Sequence, residues 1–326
     1  MRSRSAFGEQ TPPAIFTIIL GLFGLTMAWR AAAQGSVMPV QISEVLLGAV
    51  ALLYGFALLA YGRKAVRRLG AVVEDARILP GRGGLAALAV SAAALSAGLA
   101  PLMPALAEKL MWLALGAQAV MALLVAYVLL SGPAEQRQVT PLWHLSFVGF
   151  IVAAVPAVQL GHTGLAQAIF WGTLAMALVI WALSAVQLVL RVPPLALRPL
   201  LAIHLAPASL FTIVALGFPQ EGYPEMQLMA RIFSGLAVVI LVAVLVSLRP
   251  VLAAGFSPLW GAYTFPLSAF ATAMLSFSNS TGAPLERVLG GMALAAASAI
   301  VPYIALKAIR MWMSGQLALK TNAAKA

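Results

Sequence analysis

The sequence predicts an all-α integral membrane protein of ten transmembrane helices. Three observations carry that expectation. The chain is 62% hydrophobic and only 9% charged, whereas an ordinary soluble domain carries roughly 25% charged residues. Its apolar residues fall in blocks of about 20, the length that crosses a bilayer core. Its cations collect in alternate loops, as an even number of crossings requires. Residues 1–11 read as an N-terminal tail, 12–312 as one ten-helix membrane domain and 313–326 as a C-terminal tail.

Span 1 covers 12–31. Its apolar block, Pro13 to Trp29, is long and lacks a small-residue cleavage site before a soluble domain, so it reads as a helix and not as a removable signal. Spans 2 to 5 cover 43–63, 83–100, 105–131 and 141–160. Spans 6 to 10 cover 164–190, 198–218, 226–249, 257–278 and 286–312. Turn chemistry separates them at Pro80-Gly81, Pro101 to Pro104, Gly132-Pro133, Gly161-His162, Pro193-Pro194, Gly222 to Pro224 and Gly282 to Pro284. The stretch 63–82 reads as a basic loop.

With these spans, 16 of the 20 Lys and Arg residues fall on the side that holds both termini. The other side keeps only Arg30, Lys109, Arg231 and Arg287. The acids do not follow: Glu44, Glu108, Glu221, Glu225 and Glu286 lie opposite Glu9, Glu74, Asp75 and Glu135. One missed helix would move every later loop to the wrong side, so the split supports ten spans with both termini in the cytoplasm. It also accounts for the net charge of +11 without nucleic acid.

Spans 3, 5, 7 and 9 start near 83, 141, 198 and 257, in steps of 58, 57 and 59. Such a period suggests five copies of a helical hairpin, with odd helices in one class and even helices in another. Five equivalent helices around an axis enclose a pore. Any ten-helix chain with short loops has a similar period, so spacing alone leaves plain packing open.

Cysteine is absent, which excludes disulfides, thiolate metal sites and Cys nucleophiles. No Asp, Glu, Lys or Arg falls mid-membrane, and there is neither a DxxD nor an HExxH pattern. A proton-coupled carrier or a metal-dependent intramembrane enzyme would need such groups, so no enzyme activity, cofactor or metal is expected. Among the histidines, His162 reads as solvated in an outer loop and His144 as a residue of the membrane interface beside Trp143. Only His204, one turn before Pro207, reads as buried. Pro156, Pro207, Pro266 and Pro302 lie within spans, where proline kinks a helix. The glycines Gly21, Gly24, Gly290 and Gly291 allow close helix approach. The aromatic run Trp260 to Pro266 opens span 9, and Phe265 is either a ring that blocks an axis or a packed core residue.

The run Trp-Gly-Ala-Tyr-Thr-Phe-Pro at 260–266 resembles the ninth helix of the tellurite-resistance/dicarboxylate transporter family, which includes bacterial TehA and the plant guard-cell slow anion channels. Leu20-Gly21-Leu22 with Met27-Ala28-Trp29 resembles the first helix, and Pro104 to Glu108 with Trp112 and Gly116-Ala-Gln118 resembles the fourth. Leu205-Ala-Pro207-Ala208 resembles the seventh. The resemblance covers essentially the whole chain. It implies a homotrimer in a bacterial inner membrane, one pore per protomer, with odd helices inside, even helices outside and a phenylalanine of helix 9, here Phe265, closing the pore. It places pore-lining or kink positions at Ile19, Val90, Ser146, Pro207 and Pro266, with His204 close by; proline is missing from the first three. The implied activity is passage of small anions. The alternative is a secondary carrier of organic anions, sulfite or oxyanions such as tellurite. A ten-helix drug/metabolite carrier would instead repeat near 150 residues with inverted halves, and thiol reduction of tellurite would need cysteine.

Overall fold

The computed structural model describes residues 10–35, 38–190, 193–253 and 255–325, and of Glu135 and Leu252 only the backbone. Most of the N-terminal tail expected at 1–11, with Arg2 and Arg4, and Arg191 in the sixth-to-seventh connection lie outside the described residues.

Thirteen α-helices, joined by short 3-10 and π segments, make up the described chain: α1 (Ile15–Gln34), α2 (Gln41–Arg67), α3 (Gly70–Arg77), α4 (Leu79–Leu99), α5 (Pro104–Ser131), α6 (Ile151–Gln159) and α7 (Thr163–Leu190). After these come α8 (Leu205–Gly217), α9 (Pro224–Val246), α10 (Leu248–Ala253), α11 (Thr264–Thr281), α12 (Pro284–Met313) and α13 (Gln316–Lys320). Eight stretches of helix are long and apolar enough to cross a membrane. They correspond to spans 1–4, 6–8 and 10. Span 5 appears as a shorter helix over His144–Gln159, and span 9 as the 18-residue α11, which its Ser and Thr residues make less apolar.

The helices fall into two burial classes. In α1, α4 and the stretch Leu195–Gly217 that contains α8, 72–83% of the apolar window is buried. In α2, α5, α7, α9 and α12 the figure is 28–39%. α6 buries Ile151 through Ala157, and α11 buries most of its length. The contacts between buried helices close on themselves: α1 packs on α4, α4 on α6, α6 on α8, α8 on α11 and α11 on α1. Each also packs on the half-buried helix that follows it, respectively α2, α5, α7, α9 and α12. The outer helices carry exposed large apolar side chains such as Leu52, Leu123, Val189, Val242 and Met292. A continuous apolar exterior on this scale fits lipid, not water.

Close approach between α1 and α11 depends on glycine. A Cβ at Gly21 would fall 2.1 Å from the Thr264 hydroxyl oxygen, and one at Gly24 would fall 3.0 Å from Cδ2 of the Phe265 ring. Gly24 therefore gives the Phe265 ring its place against α1.

The basic loop expected at 63–82 is not a loop. α2 runs on to Arg67, α3 occupies 70–77 and α4 begins at Leu79. The reason is a buried ion pair. Lys64 Nζ donates to Asp75 Oδ2 at 2.7 Å, with both side chains fully buried, and Tyr61 donates to the same oxygen at 2.9 Å. Lys64 also donates to the Thr11 carbonyl at 3.3 Å, and the Ala324 N–H donates to Asp75 Oδ1 at 2.8 Å. Residues 11 and 324 thus meet at one end of the bundle. The stretch expected to be a C-terminal tail is docked there, with α13 burying Leu317.

Candidate functional site

Proline-bearing segments begin the buried helices at the end of the bundle where residues 11 and 324 meet. Pro12 and Pro13 precede α1, and Pro80 occupies the first turn of α4, where a missing N–H costs nothing. Pro207 and Pro266 are each the third residue of an α-helix that grows out of a 3-10 segment, Leu195–His204 and Pro258–Tyr263. The proline therefore marks a change of helix type, and its ring falls in the first α-turn, whose N–H groups have no intrahelical partner anyway.

α6 has no proline at the matching place. A π segment, His144–Val148, takes that position instead. Wider turns leave backbone carbonyls without their usual donors. Gln118 of the outer helix α5 supplies them: its Nε2 donates to Leu145 O at 3.0 Å and to Ser146 O at 2.9 Å. Gly149 makes room for this, since a Cβ there would fall 2.9 Å from that nitrogen and 2.4 Å from Leu145 O.

Between the five buried helices lies a cavity with an empty volume of about 840 Å3, its open mouth included. All five contribute. The lining includes Leu20 of α1, Val90 of α4, Val152 of α6, Leu210 of α8 and Phe265 with Pro266 of α11. Leu142, Leu200 and Ile203, which also line it, form an apolar cluster with Leu79, Leu145, Leu259 and Ala262. Among the lining residues only Thr17 and His144 have polar side chains, and no charged residue is present. Thr17 spends its hydroxyl on the Ala14 carbonyl at 2.8 Å.

Of the positions singled out in the sequence, Val90, Pro207, Phe265 and Pro266 line this cavity. Ile19 and Ser146 are buried but do not line it; their helices instead present Thr17 with Leu20, and Leu145 with Val148. Adjacent helix positions point about 100° apart, enough to aim a side chain into the surrounding core. His204 is buried and lines a separate side pocket. His144 is not an interface residue: it is only 2% exposed, and its Nε2 lies 3.0 Å from Nδ1 of His204. The two are 60 residues apart, close to the hairpin period, which sets them at like depth on adjacent helices. His162 is not simply solvated either, because its Nε2 bonds Glu108 Oε1 at 2.8 Å. Among the described residues no group of three or more His, Asp or Glu side chains is placed to hold a metal.

A family model described as voltage-dependent anion channel, SLAC1, matches residues 10–309. The chain belongs to that family. A search of curated proteins gives no match. Membership in the voltage-dependent anion channel family makes the chain a multi-pass membrane protein with anion channel or transporter activity. It also brings the cavity into focus. The family acts on anions, and among the described residues that line the central cavity the polar side chains are the Thr17 hydroxyl and the His144 imidazole. The voltage-dependent anion channel family comprises channels and transporters.

Proposed function

We propose that the chain is an anion channel whose pore runs between α1, α4, α6, α8 and α11, with Phe265 closing it. The observation that carries this reading is the cavity that all five buried helices line and whose wall includes the Phe265 ring. The closed circuit of contacts supports ten crossings, arranged as five hairpins with the odd member inside. First-turn residues of all five inner helices line the cavity, so the positive ends of their dipoles face an anion within it. An apolar, uncharged wall binds anions weakly, and weak binding suits rapid passage.

The deciding measurement is anion flux into proteoliposomes. A channel gives chloride or nitrate movement that is small in the wild type, set by the electrochemical gradient, and independent of anions on the far side. Strict one-for-one exchange, saturating with substrate, would establish the carrier reading for sulfite, dicarboxylates or oxyanions. Tellurite is tested in the same assay.

The membrane is the bacterial inner membrane in this reading, with both termini cytoplasmic. The 16 cations on that side and the meeting of residues 11 and 324 at one ion pair both support it. A reporter active only in the periplasm, fused after Ala326, is expected to stay silent. Activity there would require an odd number of crossings.

Resemblance supports a homotrimer with one pore per protomer. Native mass spectrometry in mild detergent is expected to give a mass of three chains; a stable dimer would overturn the assignment.

A further inference from the structure

Beside the central cavity lies a second pocket, lined by α7, the Gln138–Pro141 turn and the Pro193–His204 segment. Three of its lining residues, Thr140, Ser184 and His204, carry buried polar atoms without a hydrogen-bond partner: Thr140 Oγ1, Ser184 Oγ and His204 Nε2. Leaving three such groups unmade in a low-dielectric interior is costly, so their convergence on one pocket points to a ligand. All three are able to donate. A set of donors without a lining carboxylate suits an anion.

His204 is 92% buried, and its other nitrogen is committed to His144. That bond links the pocket to the central cavity, because His144 lines the cavity and its Nδ1 is likewise unpartnered. We infer that the side pocket binds an anion together with a proton taken from solvent, the proton being held on His204. As an imidazolium, His204 donates from Nε2 to the anion and from Nδ1 to His144 Nε2. His144 must then be the tautomer protonated on Nδ1, which gives the central cavity wall a donor. Occupancy of the side pocket is thereby written into the polarity of the cavity.

Among the described residues, the elements packed against the His204 segment bring His144 to it as the facing titratable group. Arg198, on the same segment, bonds the Pro193 carbonyl at 3.1 Å. Arg249 of α10 and Tyr263 line neither cavity, and Glu225 and Arg231 stand in the first turns of α9, at the far end of that helix. The charge partner for His204 is therefore the anion itself.

The anion has two chemical sources, a free inorganic ion or the phosphate of a lipid headgroup. Side-chain 15N spectra of histidine-labelled protein separate them, since the chain has three histidines and His162 serves as the remote control. In phosphate-free detergent, chloride replaces gluconate stepwise across a pH series; in a second arm, a short-chain phosphatidylglycerol is titrated. The expected result is an upward movement of the His204 titration midpoint in one arm, by about one pH unit for a tenfold linkage, together with the Nδ1-protonated tautomer at His144. The responding arm names the source. Ser184→Ala and Thr140→Val are each expected to shrink the movement. A midpoint that ignores both ligands, or that moves together with His162, would overturn the proposal. The readout needs no conduction, so a failed pore assignment and a failed side site remain distinguishable.

Discussion

Phe265→Ala should raise anion conductance by about tenfold or more, since each 1.4 kcal/mol taken from a barrier speeds passage about tenfold. The ring is 6% exposed and lies between the cavity and α1, where Gly24 leaves it space. An apolar ring on the wall of an apolar cavity excludes water, and an anion there would lose its hydration without compensation. Removing the ring admits water and lowers that barrier. Stability distinguishes this role from packing. A phenylalanine in a closed core costs roughly 3–5 kcal/mol when cut to alanine, because it leaves a void. Here one side of the ring already faces empty space, so the expected loss is well below that range. Proteoliposome flux and a thermal melt on the same preparation decide it. A variant that melts early and conducts no better than wild type would return Phe265 to core packing.

Gly24→Ala probes the same geometry from α1. Its new Cβ would fall 3.0 Å from Phe265 Cδ2 and from Ser268 Cβ, so the ring must shift. Any change of conductance would show that the ring's position, and not only its presence, sets the barrier.

Much of this fold was legible in the sequence because bilayer length and charge segregation are coarse signals that run through the whole chain. Eight of the spans agree within a few residues with helices long and apolar enough to cross a membrane, spans 5 and 9 appear as shorter helices, and Phe265, Pro266, Pro207 and Val90 fall on the cavity wall. What escaped was local hydrogen bonding across long separations. The π segment before α6 has freed carbonyls that are met by Gln118, 27 and 28 residues away, and no proline announces it. A lone glutamine in an apolar span was the available signal. The His144–His204 pair was similarly hidden, because each histidine has an ordinary reading by itself and only the hairpin period brings them level. The stretch 63–82 reads as a basic loop because a pair of opposite charges 11 residues apart gives no sign in the sequence that it is buried, whereas Lys64 and Asp75 neutralise each other inside the protein.

That buried pair should give the largest stability effect in the molecule. Lys64→Met removes the cation and leaves the Asp75 carboxylate buried with two neutral donors, Tyr61 Oη and the Ala324 N–H. Breaking one side of a buried ion pair typically costs about 3–5 kcal/mol, because the remaining charge is uncompensated. The loss should appear as a lower melting temperature in detergent and as faster tryptic cleavage at Lys320, since Asp75 no longer holds the C-terminal stretch in a defined geometry. Replacing both partners with apolar residues is often neutral elsewhere, but here it should not restore wild-type stability. Tyr61 and Ala324 would lose their acceptor, and the Thr11 carbonyl would lose Lys64. A Lys64→Met, Asp75→Leu double variant should therefore recover only part of the loss. Full recovery would show that the ion pair is interchangeable with apolar packing and that the two chain ends are held by other contacts.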